Sequence, residues 1–180
     1  MKKILFLMAA ALVLASCSQA NAKKESTAPE QTETAKLAPV ATLKTLDSSI
    51  MGEDIVKAAV AEFEGKVVLV DFWATWCPPC RQAMKLIDEI KPELKEKGCV
   101  FVYLTGETSP IDKFNEMYPN IDGTHYRLTK AQWESMLNFY GARGIPFYLL
   151  IGKDGKVVTT STGYPGNDII KNQMEVELTK

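Results

Sequence analysis

Residues 66–72 carry four consecutive apolar residues, Val67-Val68-Leu69-Val70, and lead directly into Trp76-Cys77-Pro78-Pro79-Cys80. A short, mostly β-branched run of this kind is the pattern of a strand buried on both faces. Such a strand obliges the chain to cover a sheet from above and below. Residues 99–104 and 147–151 repeat the apolar run, and residues 123–128 and 156–161 also read as strands. The last two runs, 147–151 and 156–161, flank Asp154-Gly155 and read as a hairpin. Helical spacing lies between the strands. It appears at Ile55, Ala58, Ala59 and Phe63, and again at Met84, Ile87, Ile90 and Leu94. Pro92 is expected to kink or restart the second of these helices, and Gly98 to stop it. Ser109-Pro110 reads as an N-cap with proline in the first turn, ahead of Ile111, Phe114 and Tyr118. Thr129 and Gln132 have capping-box spacing before Trp133, Met136, Leu137 and Tyr140, and Gly141 stands where a C-cap glycine belongs. Asn167 is expected to cap a last helix through Ile170, Met174 and Leu178, and a first short strand is expected within residues 43–50. The result is an α/β chain with a central mixed β-sheet and helices on both faces.

The 180 residues, 46% hydrophobic and 24% charged, are enough for one ordinary domain. A net charge of -1 gives no electrostatic ground for binding nucleic acid. The N-terminus departs from globular composition. Lys2-Lys3 precedes the apolar stretch Ile4 to Leu14, then small residues and Cys17. That is the layout of a secretory leader. Its eleven apolar residues fall short of the roughly 20 a spanning helix needs. Leu14-Ala15-Ser16-Cys17 is similar to the lipobox of bacterial lipoproteins, which implies removal of residues 1–16 and lipid attachment at Cys17. Residues 17–42 are rich in Ala, Ser, Thr, Gln, Lys and Glu without apolar periodicity, and are read as a flexible tether. The globular domain is then 43–180.

The Cys77/Cys80 pair stands where a strand passes into a helix. Backbone N–H groups and the macrodipole at a helix start favour an anion, so a thiolate is stabilised there. Cys80 follows one turn on, within disulfide reach. Pro78 and Pro79 constrain the backbone between them. The spacing suits an attacking and a resolving thiol. A zinc knuckle would need further ligands, and the chain offers only Cys99, His125 and carboxylates. A static structural disulfide and an inert pair also fit the spacing alone. The strand-to-helix context favours the redox reading.

Val70-Asp71-Phe72-Trp73-Ala74-Thr75-Trp76-Cys77-Pro78-Pro79-Cys80 resembles the active-site segment of thioredoxins, and Tyr140-Gly141-Ala142-Arg143-Gly144-Ile145-Pro146 resembles their cis-proline loop. The leader, the tether and the length between the two motifs are similar to membrane-anchored thiol-disulfide oxidoreductases of the TlpA/ResA type. The resemblance implies a thioredoxin-like fold with a helix-strand insertion, around residues 106–128, between the CxxC helix and the cis-proline strand. It makes Cys77 the nucleophile and Cys80 the resolving thiol. It makes Asp71 a buried carboxylate able to take the Cys80 proton, although many relatives of this type have an amide there. Trp76, Pro78, Pro79, Ile145 and Pro146 would form the substrate-binding surface, with Trp76 shielding the sulfurs. Glu107 resembles a carboxylate near the active site of ResA-like proteins. Lys85 stands where the family often has a helix-kinking proline. Cys99 is expected in the core and His125 on a strand surface.

The activity implied is reduction of disulfides in exported proteins at the cell envelope, on the periplasmic or extracytoplasmic face. The lipid anchor would attach the chain to the membrane, and a membrane thiol reductase would donate electrons. The Cys77–Cys80 disulfide would be the redox group, with no metal or other cofactor. The rival activities are a disulfide-forming oxidase, a peroxiredoxin-like peroxidase and a cytochrome c or metal-centre assembly factor.

Overall fold

The computed structural model describes residues 40–180. The expected leader, Cys17 and most of the tether lie outside the described residues. The elements are β1 (Ala41–Lys44), α1 (Glu53–Val60), β2 (Val68–Phe72), α2 (Pro78–Glu96), β3 (Val100–Gly106), α3 (Ile111–Met117), β4 (Gly123–Leu128), α4 (Lys130–Tyr140), β5 (Phe147–Ile151), β6 (Val157–Thr162) and α5 (Asn167–Leu178). Short 3-10 turns follow α1 and α3. The strands form one mixed sheet in the order β1-β4-β3-β2-β5-β6. β1, β4, β3 and β2 run parallel, β5 runs antiparallel to β2, and β6 runs antiparallel to β5. This is the thioredoxin-like architecture. α3 and β4 are the expected insertion, and β4 lies inside the sheet between β1 and β3.

β2 shows how the sheet divides its side chains. Val68, Val70 and Phe72 pack with α1 and α4 through Ile55, Val56, Ala59, Trp133 and Met136. Leu69 and Trp73 face the other way, onto Cys80, Met84 and Ile87 of α2, Phe114 of α3, and Ile170 and Met174 of α5. Alternation along a strand dictates this split. Gly106 permits the close seating of α4, because a Cβ there would meet Trp133 Cγ at 2.5 Å.

Some local signals held. Thr129 and Gln132 form the capping box, and Gly141 closes α4 in the left-handed region at φ 62°. Others moved. The first strand is Ala41–Lys44, so it begins before residue 43 and ends well short of residue 50. α2 continues through Pro92 as one helix. α3 carries no side-chain cap from Ser109, and Gly166 rather than Asn167 precedes α5 as its cap residue. Asn167 instead donates to Leu86 O at 2.8 Å and accepts from the Tyr164 hydroxyl at 2.7 Å, tying α5 to α2. No helix among the described residues is long and apolar enough to cross a membrane.

Candidate active site

The site begins where β2 ends. The Trp73 N–H donates to Leu104 O at 3.0 Å, holding the chain to β3 for one residue beyond β2. The chain then turns, with the Cys77 N–H donating to Ala74 O at 3.1 Å. Cys77 is the N-cap residue of α2, and Pro78 and Pro79 open the helix, where a missing N–H costs nothing. Cys77 and Cys80 are joined in a disulfide with their Cα atoms 5.4 Å apart. The Cys80 N–H points at Cys77 Sγ from 3.3 Å. That donor and the helix start favour negative charge on this sulfur once the disulfide is reduced. Cys80 has no exposed surface, whereas Cys77 keeps a little. Cys77 is the more accessible of the two cysteines.

The second motif closes over the first. The Ile145–Pro146 bond is cis, and Ile145 O lies 3.7 Å from Cys77 Sγ. Arg143 and Gly144 are exposed and Ile145 is half-buried, so this rim is open to a partner chain. Pro78 and Pro79 are exposed on the other side, and Trp76 is 56% exposed beside the sulfurs. Exposed apolar rings thus surround the disulfide.

A clamp absent from the sequence reading holds the loop. The Thr75 N–H donates to Ser109 Oγ at 3.0 Å, and Ser109 Oγ lies 2.8 Å from Thr105 Oγ1. Arg127 of β4 donates from Nη2 to Ser109 O at 3.1 Å. Ser109 and Thr105 are fully buried. The inserted unit thus reaches back to fix the residue two before Cys77. Ser109-Pro110 looked like a helix start because serine before proline commonly is one.

Asp71 of β2 is 2% exposed, and neither carboxylate oxygen has a hydrogen-bond partner among the described residues. Burial pushes its pKa up to about 8, and the Lys91 ammonium partly opposes that rise. Lys91, on α2, is itself buried. Its Nζ donates to Asp88 Oδ1 at 2.6 Å and Asp122 O at 3.0 Å, and lies over the rings of Phe101 and Tyr103. Glu107 is exposed, and its carboxylate accepts from the Lys130 N–H at 3.0 Å, at the first turn of α4. Cys99 is buried and unpaired, and burial raises its thiol pKa to about 11. Among the described residues, no group of three or more His, Cys, Asp or Glu side chains could hold a metal ion.

Comparison with known proteins agrees with this geometry. Residues 23–175 match the Redoxin family model. The chain belongs to the Redoxin family. It is 32% identical over 124 residues to the thiol-disulfide oxidoreductase ResA of Bacillus thuringiensis (strain Al Hakam), covering 69% of this chain and 68% of that protein. ResA of Geobacillus thermodenitrificans is 30% identical over 118 residues, covering 64% of this chain and 66% of that protein. A Chlorobium tepidum structure described as a thiol:disulfide interchange protein, DsbE, superposes with a TM-score of 0.55 at 28% identity. It covers 66% of this chain and 84% of that one. This Redoxin-family chain is a thiol-disulfide oxidoreductase of ResA type.

His125 departs from expectation. It was placed on a strand surface, but it is 0% exposed, because the turn after α3 covers this face of β4 through Tyr118 and Ile121. Its Nε2 lies 2.8 Å from Ile121 O, and burial lowers its pKa to about 4. Tyr103 stacks on it with ring centroids 4.8 Å apart.

Proposed function

We propose that this oxidoreductase works in the reducing direction, on disulfides of exported proteins, outside the cytoplasm. The Lys2-Lys3 and Ile4 to Leu14 leader followed by Cys17 supports export and a lipid anchor. A membrane thiol reductase then returns electrons to Cys77–Cys80, and that disulfide serves as the only redox group.

Each turnover starts from the dithiol. The Cys77 thiolate attacks one sulfur of the substrate disulfide, forming a mixed disulfide and releasing a substrate thiolate, which takes a proton from water. The Ile145 carbonyl side of the rim holds the substrate chain, and Trp76, Pro78, Pro79 and Pro146 flank the reacting sulfurs. Asp71 accepts the Cys80 proton. The Cys80 thiolate attacks Cys77 Sγ and expels the second substrate thiolate. The substrate gains two electrons and the protein is left as the Cys77–Cys80 disulfide.

The observation that carries this reading is the placement of Cys77: helix N-cap, less buried than Cys80, and 3.7 Å from Ile145 O. Insulin reduction should vanish in Cys77→Ser. Retained activity in that variant would sink the assignment. Cys80→Ala, expressed with its own leader, should accumulate mixed disulfides at Cys77 with envelope proteins, read by mass spectrometry. A trap that captures only donor thiol proteins would reverse the direction to oxidation.

A further inference from the structure

The strand register aligns four buried polar side chains across the sheet. Asp71 of β2 is paired with Tyr148 of β5 on one side and with Tyr103 of β3 on the other. Tyr103 is paired in turn with His125 of β4. Residues paired across neighbouring strands share a face. The row Tyr148–Asp71–Tyr103–His125 therefore lies on the side covered by α2, the helix that contains Cys80. At about 4.8 Å between strands it spans roughly 14 Å.

All four residues are buried. Both Asp71 oxygens, both tyrosine hydroxyls and His125 Nδ1 lack a hydrogen-bond partner among the described residues. One such atom is an ordinary exception, but a contiguous file of them beside a reactive dithiol is not. Unpaired buried polar groups of this kind take up internal water, which needs several polar neighbours. The file ends near the surface. Lys91, packed over Tyr103, bonds Asp88 and Asp122 O, and the Asp122 carboxylate meets exposed Lys95 at 2.6 Å.

The titratable groups around Asp71 come from every surrounding element. Lys91 of α2 acts on Asp71 directly, and Asp71 acts in turn on Tyr103 of β3 and Tyr148 of β5, with Asp88 and Asp122 also facing Tyr103 and Tyr164 facing Tyr148. His125 stays neutral at ordinary pH, because burial lowers its pKa to about 4. With Nε2–H donated to Ile121 O, its Nδ1 lone pair is left as an acceptor.

We propose that this row is the route by which buried Asp71 exchanges its proton with solvent. Only the carboxylate can take the Cys80 proton, so the carboxyl must shed its own proton before each attack by Cys80. The proton leaves Asp71 along hydroxyls and internal water past Tyr103 and His125, and reaches bulk water at the Asp122 end. No electron moves in this step, and the carboxylate is regenerated. Tyr103 and His125 touch neither substrate nor sulfur. They act through Asp71 and are positioning residues. The inference rests on Asp71 as the proton acceptor, so its test must separate the two claims.

The experiment mixes the full-length dithiol protein with oxidised glutathione in a stopped-flow instrument between pH 5 and 10. The first phase forms the Cys77 mixed disulfide and releases one glutathione. The second phase, attack by Cys80, releases the other. Asp71→Asn should slow the second phase and flatten its pH dependence. Tyr103→Phe and His125→Gln should slow the second phase about tenfold, within the range of a lost proton-transfer partner. They should also raise its solvent deuterium isotope effect and make its rate depend on imidazole buffer concentration. A second phase with the wild-type rate, isotope effect and buffer independence in both variants, alongside a slowed Asp71→Asn, overturns the relay and leaves the Asp71 role intact. A wild-type second phase in Asp71→Asn overturns both. Should His125→Gln fail to fold, Tyr103→Phe removes a hydroxyl that has no protein partner while keeping the ring, and it decides the question alone.

Discussion

The two faces of β2 are built to opposite rules. One face presents Val68, Val70 and Phe72 to α1 and α4, and its core cluster is made of apolar and aromatic side chains. The other presents Leu69, Asp71 and Trp73 to α2 and α5, and there the apolar packing is interrupted by Asp71, Tyr103, Tyr148, His125 and Lys91. Both faces are equally buried. The first is what a sheet needs in order to fold. The second carries polar groups that an apolar replacement would render harmless to stability, a composition that fits the proton chemistry proposed for the dithiol. Structure and function are thus divided by side-chain alternation along a single strand.

The largest expected effect is on the reactive face. Asp71 has its pKa raised by burial to about 8 in the folded chain, against about 3.9 for an unperturbed aspartate. Between those values the native state holds a proton that the unfolded state has lost. Stability from this group is therefore complete below about pH 4 and falls as pH rises to 8. His125 has the opposite sign. Its lowered pKa, about 4 against about 6.5 unfolded, costs stability as pH falls below 6.5. The two slopes, each about 1.4 kcal/mol per pH unit, cancel between pH 4 and 6.5. From 6.5 to 8 the Asp71 loss stands alone. Asp71→Asn should remove it, so that stability rises to pH 6.5 and then levels off. The gap between variant and wild type should swing by on the order of 5 kcal/mol from pH 4 to 8. Urea denaturation of the disulfide form across that range measures it. Parallel curves for the two proteins would show that the faces do not differ in this way.

The packing face should respond without reference to pH. Phe72 is fully buried, with ring centroids 5.4 Å from Phe147 and 6.1 Å from Trp133. Phe72→Ala should cost about 3–5 kcal/mol at every pH while the folded fraction keeps its glutathione-reduction rate. A change in rate per folded molecule larger than the stability loss predicts would break the division between the faces.

The sequence displayed the packing face more fully than the reactive one. Apolar periodicity located the helices and the strand cores from β2 to β6, because burial against a neighbouring layer leaves its period in the chain, while the half-exposed edge strand β1 lay earlier than expected. CxxC and the Ile145-Pro146 loop were visible because their chemistry needs particular residue types at fixed spacing. The row through Asp71 was not visible. Tyr103, His125 and Tyr148 lie far apart in sequence, and only the register of three strand pairings joins them. His125 was misplaced for a related reason: Thr124-His125-Tyr126-Arg127 alternates like a half-exposed strand, and nothing local reveals that the turn after α3 folds over it. Lys91 was hidden because a lysine on an amphipathic helix ordinarily faces water, whereas here the pair Asp88 and Asp122 O draws it across the rings of Phe101 and Tyr103.

The insertion joins the two faces, and its first residues divide between them. Ser109 serves the dithiol loop. Ser109→Ala leaves the Thr75 N–H and the Thr105 hydroxyl without their buried partner, at a cost of about 1–3 kcal/mol. Loosening the turn before Cys77 should also slow iodoacetamide alkylation of Cys77 in the reduced protein, measured where the protein is still fully folded. Unchanged alkylation would reduce Ser109 to simple packing.

Glu107, two residues earlier, points the other way. Its carboxylate accepts from the Lys130 N–H in the first turn of α4, a helix of the packing face. A negative charge there meets an unpaired backbone donor and the positive end of the helix dipole. Glu107→Gln keeps an acceptor but removes the charge, so the loss at this exposed position should stay below about 1 kcal/mol and shrink further in salt. Both phases of the glutathione reaction should keep their rates and pH dependence. A displaced pH profile in Glu107→Gln would instead place this carboxylate in the exchange chemistry, as the resemblance to ResA-like proteins implies, and would move the boundary between the two faces to include the end of β3.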